Sequence, residues 1–333
     1  MKIKYLILFI CICHTLLNCQ TNESHLDDIT SDIQDKVIDS NVQNKINSSS
    51  LKIDSTKTQH SATNQTRSNN KHQSDVPLKY CWLDTYSDSM ALIKQIILPN
   101  GYQRLPLKKG SFSHWLRNIP LHPSTKKVTL YNGKQKAYQA GAFRIINIDI
   151  GTRDLQQCAD AVIRLKAEYH YSNKTYENIH FNYTSGANIR FSDWSKGKKP
   201  KLKNGKVYFT SPTGTVNTSY NNFKKYLTNV FCYAGSNSLS KELTKKNIPD
   251  IEPGDVFIWG GFPGHAIVVV DVAVHQKTGK KIFLLAQSYM PAQSIHIINN
   301  FNNSNLSPWY PEDFGEQLET PEWNFAHNSL KGF

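Results

Sequence analysis

The chain has 333 residues, 39 Lys and Arg against 26 Asp and Glu, six Cys and 39% apolar residues. That length buries one large core or two modest ones. No interior apolar run reaches the roughly 18 residues of a membrane-spanning helix, and six cysteines are too few for a disulfide scaffold. No collagen period, heptad array or fixed repeat is present. The charge is uneven: residues 1–78 hold eight Lys/Arg and eight Asp/Glu, so the net +13 belongs to the remainder. Composition therefore predicts one basic globular domain on a neutral tail.

At the N-terminus, Lys2 and Lys4 precede an apolar stretch from Tyr5 to Cys13 and a processing box, Leu16-Leu17-Asn18-Cys19. This resembles a bacterial lipoprotein signal, which implies that residues 1–19 are processed and Cys19 is acylated. The protein would then be exported and held by its lipid to a bacterial membrane, on a periplasmic or cell-surface face, without a spanning helix. Residues 20–78 follow as a polar tether; 20–77 contain no Phe, Tyr or Trp. Such a segment cannot bury enough apolar surface to offset its ordering entropy, and as a flexible coil it spans roughly 40 Å. Composition changes at Tyr80-Cys81-Trp82, and 35 of the 37 aromatics lie after residue 78. The folded unit is read as 79–333, a single α+β domain.

Within it, Asp88 to Leu98 reads as a helix with Ser87 as its N-cap, or Asp84 or Thr85 as earlier alternatives. Phe112, Trp115, Leu116 and Ile119 place a second helix. Lys127 to Tyr131 and Ala142 to Ile150 read as strands. Asp154 to Tyr171 is the strongest helix, because Leu155, Cys158, Val162, Leu165 and Tyr169 recur at 3-4-3-4 spacing. Ile179 to Tyr183 reads as a strand, Ser219 to Val230 as a helix and Leu239 to Leu243 as a short one. Asp255 to Trp259, His265 to Val274 and Lys281 to Ser288 are strands, the last two joined by a hairpin at 275–280. The Asp154 helix is expected to pack on an antiparallel sheet made from these last three.

The candidate chemistry lies on that helix and that sheet. Cys158 is placed about one turn into the helix, near the positive end of its dipole, which favours a thiolate. His265 opens the apolar run Ala266 to Val270, and Gly260, Gly261 and Gly264 leave room for a ligand beside its ring. Gln287 is a polar residue on the returning strand. A thiol, an imidazole and a polar orienter are the parts of a cysteine nucleophile system. Simple hairpin register pairs His265 with Met290, so Gln287 needs a bulge to reach it, and Gln293 is the other orienter. Gln156 and Gln157 are candidate oxyanion donors, while Trp194, Tyr220 and Trp259 are candidates for a cleft wall. Each feature also has a plainer reading: a small core cysteine, a histidine bonded to a loop, a glutamine satisfying backbone groups.

Two resemblances bear on function. Arg153 to Asp160, Gly254-Asp255-Val256-Phe257, Gly264-His265-Ala266 and Leu285 to Gln293 resemble the bacterial lipoprotein family called domain of unknown function 4846, which brings no established activity. More loosely, a helix-borne Cys followed by Gly-Asp-Val-Phe and a strand beginning Gly-His-Ala is similar to NlpC-type and CHAP-type cell-wall amidases. That likeness implies a papain-like core with Cys158 as nucleophile, His265 as base and Gln287 as orienter. Two functions follow: a cysteine amidase or peptidase acting on cell-wall material, or a non-enzymatic, lipid-anchored binding domain with a degenerate Cys/His pocket.

No phosphate loop, metal-ligand spacing or cofactor motif occurs, so no cofactor or metal is expected. The positive charge from Arg164, Lys166, Lys196, Lys198, Lys199, Lys201 and Lys203 suits peptidoglycan, anionic envelope glycans or lipid headgroups better than nucleic acid, which an exported protein rarely meets. If Cys19 is acylated, Cys81, Cys158 and Cys232 remain. Cys81 and Cys232 are expected to pair or stay buried, leaving Cys158 free.

Overall fold

The computed structural model describes residues 78–333. The expected signal segment with Cys19, and all but the last residue of the tether, lie outside the described residues. The strands are β1 (Tyr102–Arg104), β2 (Ala142–Ile145), β3 (His180–Asn182), β4 (Asn188–Arg190), β5 (Pro200–Lys203), β6 (Lys206–Phe209), β7 (Thr244–Lys245) and β8 (Val256–Trp259). They continue as β9 (His265–His275), β10 (Lys281–Gln287), β11 (His296–Ile298), β12 (Tyr310–Pro311), β13 (Gln317–Glu319), β14 (Asn324–Ala326) and β15 (Leu330–Gly332). The helices are α1 (Leu92–Gln95), α2 (Phe112–Arg117), α3 (Cys158–Ser172), α4 (Phe191–Ser195), α5 (Tyr220–Tyr233) and α6 (Ser236–Glu242).

The principal sheet runs β2-β11-β10-β9-β8-β15-β7, with β1 also paired to β9 and β12 to β10. All its pairings are antiparallel. Its centre is β9 and β10, whose Val, Ile, Leu and Phe residues other than Val274 are buried on both faces. Runs of β-branched residues suit a strand covered on both sides. One face carries the larger core: Ala159, Val162, Ile163 and Leu165 of α3 pack with Val256, Ala266, Val268, Leu284 and Ala286. The other face carries Phe257, Ile267, Val269, Phe283 and Leu285, covered by Tyr310, Leu318, Phe325 and Leu330. Both cores share one sheet, which is the expected α+β arrangement of a helix on antiparallel strands.

One step interrupts the β9–β10 ladder. Leu284 faces Asp271 but Leu285 faces Val269, so Val270 is an extra residue in β9, a bulge. Asp271 beside it is fully buried and lies 2.6 Å from Arg117 Nε and 2.7 Å from Arg104 Nε. Arg117 also donates to the Leu105 carbonyl at 2.7 Å, tying α2 and the segment after β1 to the bulge.

Several expected boundaries move, each for a local reason. α3 begins at Cys158 rather than at Asp154, because Gln157 is extended and its N–H donates to Asp160 Oδ2 at 3.1 Å. The Asp88–Leu98 helix breaks at Ala91, which is extended and bridges Pro120, leaving a 3₁₀ turn and the short α1. Lys127 to Tyr131 makes only isolated bridges through Thr129 and Leu130. The Ala142 strand stops at Ile145, where Ile146 turns to bond the Ile295 carbonyl at 2.9 Å. The β5–β6 hairpin was not expected; it turns at Asn204-Gly205, both at positive φ, and its lysines conceal the alternation. The helix expected over 219–230 forms as Tyr220–Tyr233, and Ser219 is its N-cap, accepting from the Asn222 N–H.

Replacing Asp271 by Ala strands two arginines with little solvent to take up their charge. Breaking a buried ion pair from one side costs about 3–5 kcal/mol. Urea denaturation of Asp271→Ala is expected to show a loss of that order, whereas a loss within ~0.5 kcal/mol, the usual range for surface positions, would mean the pair does not hold the bulge.

Candidate functional site

Cys158 stands at the first turn of α3, where the backbone N–H groups are still free. The N–H groups of Cys158, Ala159 and Ala266 point at its sulfur. Ala266 is the residue directly after His265, so the thiol lies at the start of β9. The preceding loop is stapled to the sheet. The Ser288 hydroxyl lies 2.9 Å from both the Gln156 and Gln293 carbonyl oxygens, and Asp154 Oδ1 accepts from the Ala292 N–H at 2.7 Å.

His265 is buried, and its Nε2 lies 2.9 Å from Gln287 Oε1. The bulge makes this pair possible. Continuing the register of Ala286 with Val268 puts Tyr289 opposite His265, so Gln287 is a diagonal neighbour on the same face. In an unbulged ladder His265 would pair with Met290 and turn to the face opposite Gln287. The imidazole is enclosed by rings, with Tyr289 at 4.8 Å, Trp323 at 5.5 Å and Phe325 at 5.8 Å between centroids. Gln287 Nε2 donates to Glu322 Oε2 at 2.8 Å, and both Glu322 oxygens lie 2.6 Å from Lys136 Nζ. Across β11 from Gln287 stands His296, buried, with Nδ1 at 2.9 Å from the Ser294 carbonyl.

The charge state differs from the one a helix terminus alone predicts. Burial pushes the Cys158 thiol up to about 11, and neighbouring Asp160 adds to the shift; the three N–H groups only reduce it. Burial holds the His265 imidazole down to about 4, against the pull of Gln287 and with the help of Lys136. At neutral pH the thiol and the imidazole are therefore both uncharged; α3 lies on the Ala266 and Val268 side of β9, while the His265 ring packs on Phe325 of the opposite core.

The remaining candidates divide. Gln293 is buried but its amide does not reach His265, so Gln287 holds the orienter position. Gln156 is buried with Oε1 accepting from Arg164 at 2.9 Å and Nε2 donating to the Asp149 carbonyl at 3.3 Å, so it braces the loop. The Gln157 amide donates to Asp154 Oδ1 at 3.1 Å. Trp194 is a core residue against Tyr226, its Nε1 bonded to Asn222. The Tyr220 hydroxyl donates to the buried Glu168 carboxylate at 2.7 Å and braces α3 against α5. Trp259 is 53% exposed and pairs with His265 in the β8–β9 ladder, so of the three aromatic candidates it stands at the site.

Gly260 and Gly264 do not clear space for a ligand. A Cβ on either would meet Ser240 or Ser236 of α6, so they let the β8–β9 loop pack on that helix. Cys81 and Cys158 both carry free thiols, so Cys81 does not pair with Cys232. Among the described residues no group of three or more His, Cys, Asp or Glu is placed to hold a metal, and no helix is long and apolar enough to cross a membrane.

Lys136, Tyr289, His296, Glu322, Trp323 and Phe325 were not among the sequence candidates. All but Tyr289, which falls within the Leu285–Gln293 motif, lie on segments without a motif. Trp323 and Phe325 carried the one available signal, alternate aromatics close to the C-terminus.

No curated protein and no solved structure matches the chain. A family model described as a domain of unknown function (4846) matches residues 92–332, a span that includes every residue of this cluster, and the chain belongs to that family.

Proposed function

We propose that this domain is a cysteine hydrolase, an amidase or peptidase of papain-like type, acting on cell-wall material from a lipid-anchored position in the bacterial envelope. One observation carries the reading: Gln287 holds His265 through Nε2 at 2.9 Å while the next residue, Ala266, directs its N–H at the Cys158 sulfur. This leaves Nδ1 as the basic nitrogen of the imidazole, and the proposal requires it to reach the thiol when substrate is bound.

In this reading Cys158 attacks the substrate carbonyl carbon as its proton passes to His265 Nδ1. Free N–H groups at the start of α3 receive the developing oxyanion. The imidazolium then returns the proton to the leaving amine as the carbon–nitrogen bond breaks, giving a thioester. Water, deprotonated by the same nitrogen, hydrolyses it and restores the thiol. Because the pair is neutral at rest, proton transfer and attack occur together. Exposed Trp259 offers a face to sugar or peptide, and the net charge of +13 suits an anionic polymer. The same neutral pair also favours the second reading, a binding domain whose thiol is never activated.

The pH dependence of acylation separates the two. An ester such as p-nitrophenyl acetate is expected to acylate Cys158 at a rate that is flat from pH 5 to 8, since His265 is neutral above about 4. Removing the base in His265→Ala leaves only thiolate chemistry, which climbs about tenfold per pH unit while pH stays below the thiol's pKa. Absence of Cys158 acylation in the native chain, or the same steep profile with and without His265, would sink the hydrolase reading.

Anchoring has its own test. Cells fed labelled palmitate should yield labelled protein from the native gene and none from Cys19→Ala. Equal labelling of the two would place the lipid elsewhere, and none in either would remove it.

A further inference from the structure

We infer that Glu322, held by Lys136, is a positioning residue that selects the His265 tautomer through the Gln287 amide; the inference rests on the hydrolase reading for its purpose but not for its geometry. A glutamine amide has two ends of opposite sense, one accepting and one donating, and nothing in its shape prefers one orientation. An ionised carboxylate only accepts. Glu322 Oε2 at 2.8 Å from Gln287 Nε2 therefore fixes the donating end away from the histidine, and Oε1 must face His265 Nε2. Nε2 then carries the proton, and Nδ1 keeps the lone pair that a base needs.

Three distant segments meet to make this chain. Gln287 ends β10, Glu322 lies just before β14, and Lys136 comes from the loop between α2 and β2. Lys136 pairs with Glu322 at 2.6 Å in a site where both side chains are only 12–14% exposed. Its ammonium also lies 5.7 Å over the Tyr289 ring, which itself packs on His265. The Glu322 carbonyl takes the Tyr289 hydroxyl at 3.4 Å, so one short loop restrains both groups that restrain the imidazole. No nucleophile, base or substrate group touches Glu322. Its influence passes through Gln287.

The test reads the tautomer directly, with ¹⁵N-histidine spectra of the full chain and His265→Gln to assign the signal. Native protein should show the Nε2–H form of His265. Glu322→Gln sets beside Gln287 an amide with a donating as well as an accepting end, so it should weaken the selection and give some of the other form. Lys136→Met/Glu322→Leu replaces an ion pair by an apolar pair, an exchange that folded proteins tolerate, and should give a mixture of the two forms. Ester acylation of Cys158 should fall with the lost fraction, about twofold for an even mixture, because the wrong tautomer is inactive. In Gln287→Leu the same double replacement should change the tautomer no further, since the two act in series. A folded Lys136→Met/Glu322→Leu protein that retains the native tautomer would overturn the inference. Tautomer loss in a chain that never acylates Cys158 would instead uphold the positioning and reject the hydrolase.

Discussion

Val270, the extra residue in β9, sets which side chains meet at the far end of that strand. A strand's side chains alternate with period two, so an extra residue left in the ladder would exchange the faces of everything beyond it, and bulging Val270 out avoids that. From the hairpin to Asp271 the ladder runs in one register; from Val269 to the strand's start it runs in another. His265 and Gln287 share a face because of that step. Arg104 and Arg117 close on Asp271 beside the bulge, so the distortion is held by two ion pairs and by the segments that bring them.

The site's electrostatics follow from enclosure. A helix N-terminus favours a thiolate by a fraction of a kcal/mol to about 2 kcal/mol, whereas burial of a charged form among rings and apolar strands costs several times that. Desolvation wins, and both the thiol and the imidazole are neutral. The Gln287–Glu322–Lys136 chain fits that condition. It places a formal charge one amide away from the imidazole and balances it with a lysine, so His265 is oriented without a direct ion pair. An uncharged amide with a compensated carboxylate behind it keeps formal charge away from the imidazole; in the proposed mechanism, charge separates only at the moment of attack.

The parts of this arrangement differ in how far the residues announce them. The α3 stripe and the three apolar strands were legible, because long periodic or continuous apolar runs fix both element type and burial. Cys158, His265 and Gln287 were legible as polar residues in apolar settings. The bulge was not, since an extra valine in a run of valines changes neither composition nor pattern. Glu322 and Lys136 were hidden because they reach Gln287 by way of irregular loops, where no periodicity reports direction. The thiol's charge state was misjudged for a related reason: its position at a helix end can be read from spacing, but the crowding around it comes from β9, β10 and Tyr289, which only the fold brings together. Trp194 and Tyr220 read as possible binding aromatics until packing placed one in the core and the other on Glu168.

The central claim is that Cys158 breaks an amide bond in cell-wall material. Purified peptidoglycan incubated with the full chain, followed by mass spectrometry of the released fragments, tests it most directly. Fragments ending at one type of amide bond, absent with Cys158→Ala, are the predicted result; an intact polymer, or the same fragments from Cys158→Ala, would contradict it.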